Sequence, residues 1–221
     1  MNIVISGASN GIGLACVQLF LQQGHTVHGI DVMPSPVRHA AYTHHVADVR
    51  EPLPDIADVQ VLVTAAGVQS PEADCVDVNL LGTVRTVQRY AMQPAIRAVV
   101  TIASASAHNG AEFALYSASK GGVLAYTKHL AQQLAAWGAT ANSISPGGVL
   151  TTSNAPVLND SVLRQEAMNE ALLGKWAEPE EIAQWVYFVA VVNRSMTGQD
   201  LLIDNGEMLK ANFVWPKDAT N

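Results

Sequence analysis

Tyr116 and Lys120 stand four positions apart in Tyr116-Ser117-Ala118-Ser119-Lys120, inside a segment from about Ala114 to Trp137 that reads as one long helix. The spacing puts both side chains on one face. A free phenol titrates at about pH 10, too high for ready proton exchange under neutral conditions. An ammonium one turn away favours the phenolate and would let Tyr116 serve as general acid and base. The same pair is common on ordinary helix surfaces, so it gains meaning only from its surroundings. The apolar run Ala98 to Ala103 predicts a strand that ends at Ser104, which sets a hydroxyl at the carboxyl edge of a sheet, where open parallel sheets bind ligands. Ser106 is the alternative serine.

A second constellation follows the first strand, in Gly7-Ala8-Ser9-Asn10-Gly11-Ile12-Gly13. Glycines so spaced let the backbone turn tightly and approach a pyrophosphate, while the next helix offers free amides and the positive end of its dipole. A glycine turn can also do no more than join strand to helix. Asp31, at the end of the second predicted strand, favours the binding role, because a carboxylate there can accept hydrogen bonds from an adenosine ribose. That carboxylate would repel a 2'-phosphate, and neither Asn10 nor Val32 offsets it with positive charge, so NAD is expected in preference to NADP. Arg38 is the nearest basic residue and would weaken that preference.

Positioning these groups requires alternating strands and helices. Strands are expected near Asn2-Ser6, Thr26-Asp31, His44-Ala47, Val59-Ala65, Arg97-Ser104, Ala139-Ser145 and Gln199-Asp204, with helices in most gaps; this order predicts parallel strands with crossover helices. The first helix, about Ile12 to Gln23, carries Ile12, Cys16, Leu19 and Phe20 on one stripe and stops at Gly24. Pro34 and Pro36, then Pro52 and Pro54, argue against helices in the next two gaps. A length of 221 residues with no repeat or linker fits a single domain over residues 1–221. Apolar residues are 49% and charged residues 14% of the chain, as strands buried on both faces require. The net charge of -7 and the absence of a basic run exclude nucleic acid as the expected partner. No signal-peptide pattern or membrane-length apolar stretch is apparent, which makes the cytoplasm the expected location and a membrane an unexpected partner. Cys16 and Cys75 lie in apolar patterns and read as core residues. His44 and His45 point to opposite faces of a strand, so no metal is expected.

Taken together, the chain resembles the short-chain dehydrogenase/reductase family almost from end to end. That family carries a Thr-Gly-x-x-x-Gly-x-Gly turn, matched from Ser6-Gly7 to Gly13 with serine for threonine, and a Tyr-x-x-x-Lys motif after a strand-end serine. Asp48-Val49 matches its adenine-contacting pair. Val63-Thr64-Ala65-Ala66-Gly67 resembles its Asn-Asn-Ala-Gly segment without the asparagines, and Asn79 corresponds to its catalytic asparagine. Pro146-Gly147-Gly148-Val149 with Thr151 resembles the segment that contacts the nicotinamide amide. The interval from Ser104 to Tyr116 is a residue shorter than is commonest in the family.

The resemblance implies a Rossmann-like, doubly wound parallel sheet of about seven strands with helices on both faces. It also implies hydride transfer between nicotinamide and a small-molecule alcohol or ketone. Tyr116, favoured as phenolate by Lys120 and an oxidised nicotinamide, would exchange the proton, Ser104 would bind the substrate oxygen, Lys120 would hold the ribose, and Asn79 would complete a proton path, bond to a backbone kink, or do both. Residues 150–176 occupy the position of a substrate lid. A weaker likeness, through Ala103-Ser104-x-x-Ala107-His108 and Leu173-Gly174-Lys175, is to the 2,3-dihydro-2,3-dihydroxybenzoate dehydrogenases and hints at a cyclic diol; His108 could then touch the substrate, or simply be solvated. Phe213, Val214 and Trp215 in the tail, residues 207–221, are apolar enough to seek cover, and a homo-oligomer, tetramer or dimer, is expected. The competing reading is a dinucleotide-binding sensor that has lost turnover; an epimerase or dehydratase acting on nucleotide-sugars would need a larger C-terminal part.

Overall fold

In the computed structural model, residues 1–111 and 113–210 are described, so Phe213, Val214 and Trp215 lie outside the described residues. Seven strands, Asn2–Ser6 (β1), Thr26–Asp31 (β2), Tyr42–Val46 (β3), Val61–Thr64 (β4), Ala98–Ile102 (β5), Thr140–Pro146 (β6) and Asp200–Ile203 (β7), form one parallel sheet in the order β3-β2-β1-β4-β5-β6-β7. The winding reverses between β1 and β4, and a crevice opens above the carboxyl ends of strands at such a switch point. β4 and β5 are buried at every position, which is why Val61-Leu62-Val63 and Ala98-Val99-Val100 read as unbroken apolar runs.

The helices are Gly11–Gln22 (α1), Gly82–Tyr90 (α2), Ser106–Asn109 (α3), Ala114–Leu134 (α4), Ala155–Leu158 (α5), Ser161–Glu170 (α6) and Pro179–Tyr187 (α7). On one face of the sheet, Ile3, Ile5, Val61, Val63 and Val100 pack against Cys16 and Phe20 of α1 and against Ile182 and Val186 of α7. On the other, Val4, Leu62 and Val99 meet Val87 and Tyr90 of α2 and Leu130 and Leu134 of α4. Both cysteines are buried and free.

β1 and β2 fall where the sequence puts them, whereas β3 begins at Tyr42, two residues ahead of the expected His44. The Tyr42 ring lies over Gly29, with its hydroxyl 2.1 Å from where a Gly29 side chain would begin, so pairing starts with the residue that covers that gap. The proline-marked gaps after β2 and β3 hold no helix. Val76–Leu81 forms a π-helical segment that runs into α2, an arrangement that recurs at functional sites. No helix among the described residues is long and apolar enough to cross a membrane, and no group of three or more His, Cys, Asp or Glu among them gathers as a metal site.

Candidate active site

β5 delivers Ser104 to the upper edge of the sheet, where it is 8% exposed, and α4 carries Tyr116 and Lys120 past it. The Ser104 hydroxyl lies near enough to the Tyr116 phenol to lower its pKa, and it accepts the Ser106 amide at 3.2 Å. Ser106 itself opens α3, so of the two candidate serines it is Ser104 that meets the phenol. Lys120 Nζ lies 5.7 Å from the centre of the Tyr116 ring and donates to the Ile102 carbonyl at 2.9 Å.

The sequence assigns acidification of the phenol to the ammonium and an oxidised nicotinamide together, and the ammonium alone does not supply it. Burial raises the Tyr116 pKa, and the Ser104 hydroxyl pulls it only part of the way back. Burial acts on Lys120 in the other sense and pushes its pKa down to about 8. Both groups are therefore biased towards their neutral forms by the same desolvation, and a further positive charge above the phenol is what would bring it into a working range.

Asn79 is 1% exposed in the π-helical segment. Its Oδ1 accepts the Val68 amide at 2.8 Å, and its Nδ2 donates to the Val68 carbonyl at 3.0 Å and to Ser119 Oγ at 3.0 Å. The side chain thus ties the loop after β4 to α4, one residue from Lys120. Thr83 Oγ1 donates to the Asn79 carbonyl, which retains a second lone pair. A side chain on Gly67 would meet Asn79 Oδ1 at 3.2 Å and Lys120 Nζ at 3.4 Å, so the Ala65-Ala66-Gly67 loop passes directly over these groups. Ala65 and Ala66 donate their amides to Ser6 O and Oγ, respectively.

The glycine turn has the shape of a phosphate cradle. Gly7 has φ +70°, and a side chain there would sit 2.6 Å from the Ala66 amide nitrogen; one on Gly13 would lie 1.9 Å from the Gly7 carbonyl oxygen. Such a close crossing of strand and helix excludes any Cβ. Asn10 Oδ1 caps α1 through the Gly11 amide at 2.7 Å, and its Nδ2 donates to Thr152 Oγ1. Ile12 packs on the core beneath. The Asp31 carboxylate accepts the Ser9 amide and the Met33 amide, each at 2.9 Å, which joins the turn to the end of β2. A concavity beside it is lined by Ser9, Asn10, Met33, Pro34, Ser35 and Pro36. Backbone amides, a helix start and a nearby carboxylate suit a dinucleotide.

Other sequence-predicted positions are more occupied. Arg50 grips both oxygens of Asp48 at 2.8–3.1 Å and holds its carboxyl below the usual range, while the Val49 side chain is buried against Gly82. Pro146 ends β6 and gives its carbonyl to Ala105. Gly147 bonds Ile203, Val149 pairs with Ala177, and the Thr151 methyl group lies against Gly11. These bring residues 146–152 beside the glycine turn. His108 is held by Asp200 Oδ2 at 2.8 Å, with Ser145 Oγ at 3.3 Å. Asp200, Ser143 and Ser145 escaped the sequence reading, although two serines alternating through an otherwise buried strand were a visible sign.

Comparison with known proteins accords with this geometry. A family model described as Enoyl-(Acyl carrier protein) reductase matches residues 69–207. The 3-oxoacyl-(acyl-carrier-protein) reductase of Thermotoga maritima is 29% identical over 92% of this chain and 96% of that protein. Cyclohexanol dehydrogenase of Rhodococcus sp. is 31% identical over 67% of this chain and 62% of that protein. The ligand-free aldohexose dehydrogenase of Thermoplasma acidophilum shares the fold, with a TM-score of 0.84, 24% identity and coverage of 98% of this chain and 97% of that one. With a matching family model over most of its length, a seven-stranded parallel sheet and the Ser104, Tyr116 and Lys120 cluster beside a glycine turn, the chain belongs to the short-chain dehydrogenase/reductase family, whose members are NAD(P)-dependent oxidoreductases.

Proposed function

We propose that the protein interconverts a secondary alcohol and a ketone on a small, cyclic, hydroxylated substrate, with NAD as its preferred partner. The observation that carries the chemistry is the Tyr116 ring with the buried Lys120 ammonium 5.7 Å from its centre and the buried Ser104 hydroxyl close by. In the oxidative direction Tyr116, as phenolate, takes the proton of the substrate hydroxyl. Ser104 donates a hydrogen bond to the oxygen as it becomes a carbonyl. Lys120 holds a ribose hydroxyl and keeps positive charge below the phenol. Asn79 keeps the loop over Lys120 in register and offers a carbonyl to a water-borne proton path. The bound dinucleotide supplies the hydride acceptor at its nicotinamide carbon.

The cofactor preference is supported by Asp31 and by the absence of any Lys or Arg from the lining of the neighbouring concavity, where a 2'-phosphate would find no counter-charge. A cyclic substrate is supported by the likeness to the cyclohexanol dehydrogenase of Rhodococcus sp.. The intact Ser104, Tyr116, Lys120 and Asn79 set argues for turnover and against a sensor without chemistry. The test follows absorbance of reduced nicotinamide while cyclohexanol, cyclic diols, sugars and acyl alcohols are offered with NAD or NADP. Tyr116→Phe should lower turnover by at least about a hundredfold while NADH binding by fluorescence titration stays near wild type. A variant that keeps most of its activity would remove Tyr116 from the mechanism.

A further inference from the structure

Outside the reacting centre, the described residues hold a polar cluster that no step above uses. Asp200, at the start of edge strand β7, accepts Ser143 Oγ at 2.5 Å and Ser145 Oγ at 2.9 Å on one carboxylate oxygen, and His108 Nε2 at 2.8 Å on the other. Ser143 and Ser145 are 1% and 0% exposed. Such positions on a central strand are ordinarily apolar, and a carboxylate with three donors in a shielded setting would leave several groups unsatisfied if one member were lost. The Asp200 side chain is 14% exposed and that of His108 33%, so the pair sits at the rim of the domain rather than in bulk solvent.

What the cluster holds is α3. This single turn starts on the Ser104 carbonyl, which accepts the Ala107 amide at 3.0 Å. Its first residue, Ser106, donates its amide to Ser104 Oγ. Its far end carries His108. A chain of contacts therefore runs from Asp200 through His108 and one helical turn to the Ser106 amide and the Ser104 hydroxyl, which is near enough to the Tyr116 phenol to lower its pKa. A four-residue helix has too few internal hydrogen bonds to keep its own place, and Gly110, with φ +64°, ends it at once. Its position has to come from outside.

We propose that His108 is a positioning residue for Ser104: gripped by Asp200, it fixes α3 on the β6–β7 edge so that the Ser106 amide orients the Ser104 hydroxyl towards Tyr116. This assignment rests on the proposed hydride chemistry for its consequence in turnover, but not for its geometry. It also gives His108 a role distinct from contact with substrate.

The phenolate absorbance of Tyr116, isolated by subtracting the titration of the Tyr116→Phe protein, reads the influence of the Ser104 hydroxyl without any substrate. Ser104→Ala should move that titration to higher pH, and His108→Ala should move it the same way. His108→Gln, which retains a donor near the Nε2 position, should return it. In the Ser104→Ala background, His108→Ala should have no additional effect. Where an alcohol is turned over, His108→Ala should lower kcat about tenfold with KM for NAD unchanged, again only while Ser104 is present. The proposal is overturned if His108→Ala leaves the titration unmoved, or if its effect persists undiminished without Ser104. Should His108→Ala fail to unfold cooperatively, Asp200→Asn is read by the same two criteria. A wild-type protein inert towards every alcohol would sink the oxidoreductase reading, and the titration would still decide the positioning role.

Discussion

Burial at the reacting centre acts on Tyr116 and Lys120 in opposite directions, raising the pKa of one and lowering that of the other to about 8. The ammonium is thus a stability cost that the site accepts. Because the folded pKa of Lys120 lies below its value in an unfolded chain, its full penalty is present below about pH 8 and is relieved as pH rises towards the unfolded value. Lys120→Met should then stabilise the protein at pH 7, by no more than roughly 3 kcal/mol, while turnover falls; urea unfolding beside an activity assay reads both. Under the proposed cofactor preference, Asp31→Ala should weaken NAD about tenfold and NADP less, because a carboxylate placed to serve the ribose would also repel a 2'-phosphate; titration of both reduced cofactors checks the ranking. These residues were legible because spacing and flanking pattern announce them. The pKa of the phenol was not, because the desolvation that dominates it depends on how closely α4 and β5 pack.

Asn79 shows what an element adds. The sequence left open whether its amide serves chemistry or a backbone kink, and the π-helical segment has it grip both polar groups of Val68 while touching Ser119. Asn79→Ala leaves the half-buried Val68 amide without its partner and the Val68 carbonyl with only the Cys75 thiol, which costs about 1–3 kcal/mol. Urea midpoints should fall accordingly, and turnover should fall further than stability accounts for, since Lys120 lies under the same loop. The starts of β1, β2 and α4 were readable from apolar period and punctuation. The start of β3 was not, because it is set by the Tyr42 ring covering Gly29, a contact between strands that a one-dimensional pattern does not carry. The Asp200 cluster was hidden for the same reason, since Asp200 and His108 meet only when β7 is laid beside β6.

Across the whole molecule, alternation of strand and helix predicted the parallel sheet, and the two apolar layers follow from it. The far edge of the sheet brings His28 and His45 together, with ring nitrogens 3.4 Å apart and stacked planes. Burial lowers the pKa of each, helped by the His45 imidazole at His28 and by the His44 imidazole at His45. An unfolded chain therefore binds these protons more readily, so the stability they allow is complete above about pH 6.5 and is lost as pH falls. Thermal midpoints should drop between about pH 6.5 and 5 more steeply in the wild type than in a His28→Gln, His45→Gln double variant.

Val149 and Ala177 pair beside the end of β6, and residues 150–176 leave and rejoin the domain through that one join. Within this excursion α6 has no buried residue. An excursion whose two ends are pinned so close together can change in length and composition beyond Thr152 without disturbing the sheet or Tyr116, while Thr151 and Thr152 keep their contacts with the glycine turn. Under the proposed function, the protein is thereby a chassis on which the choice of alcohol can drift in evolution, or be grafted by design, while the Ser104, Tyr116 and Lys120 cluster stays put.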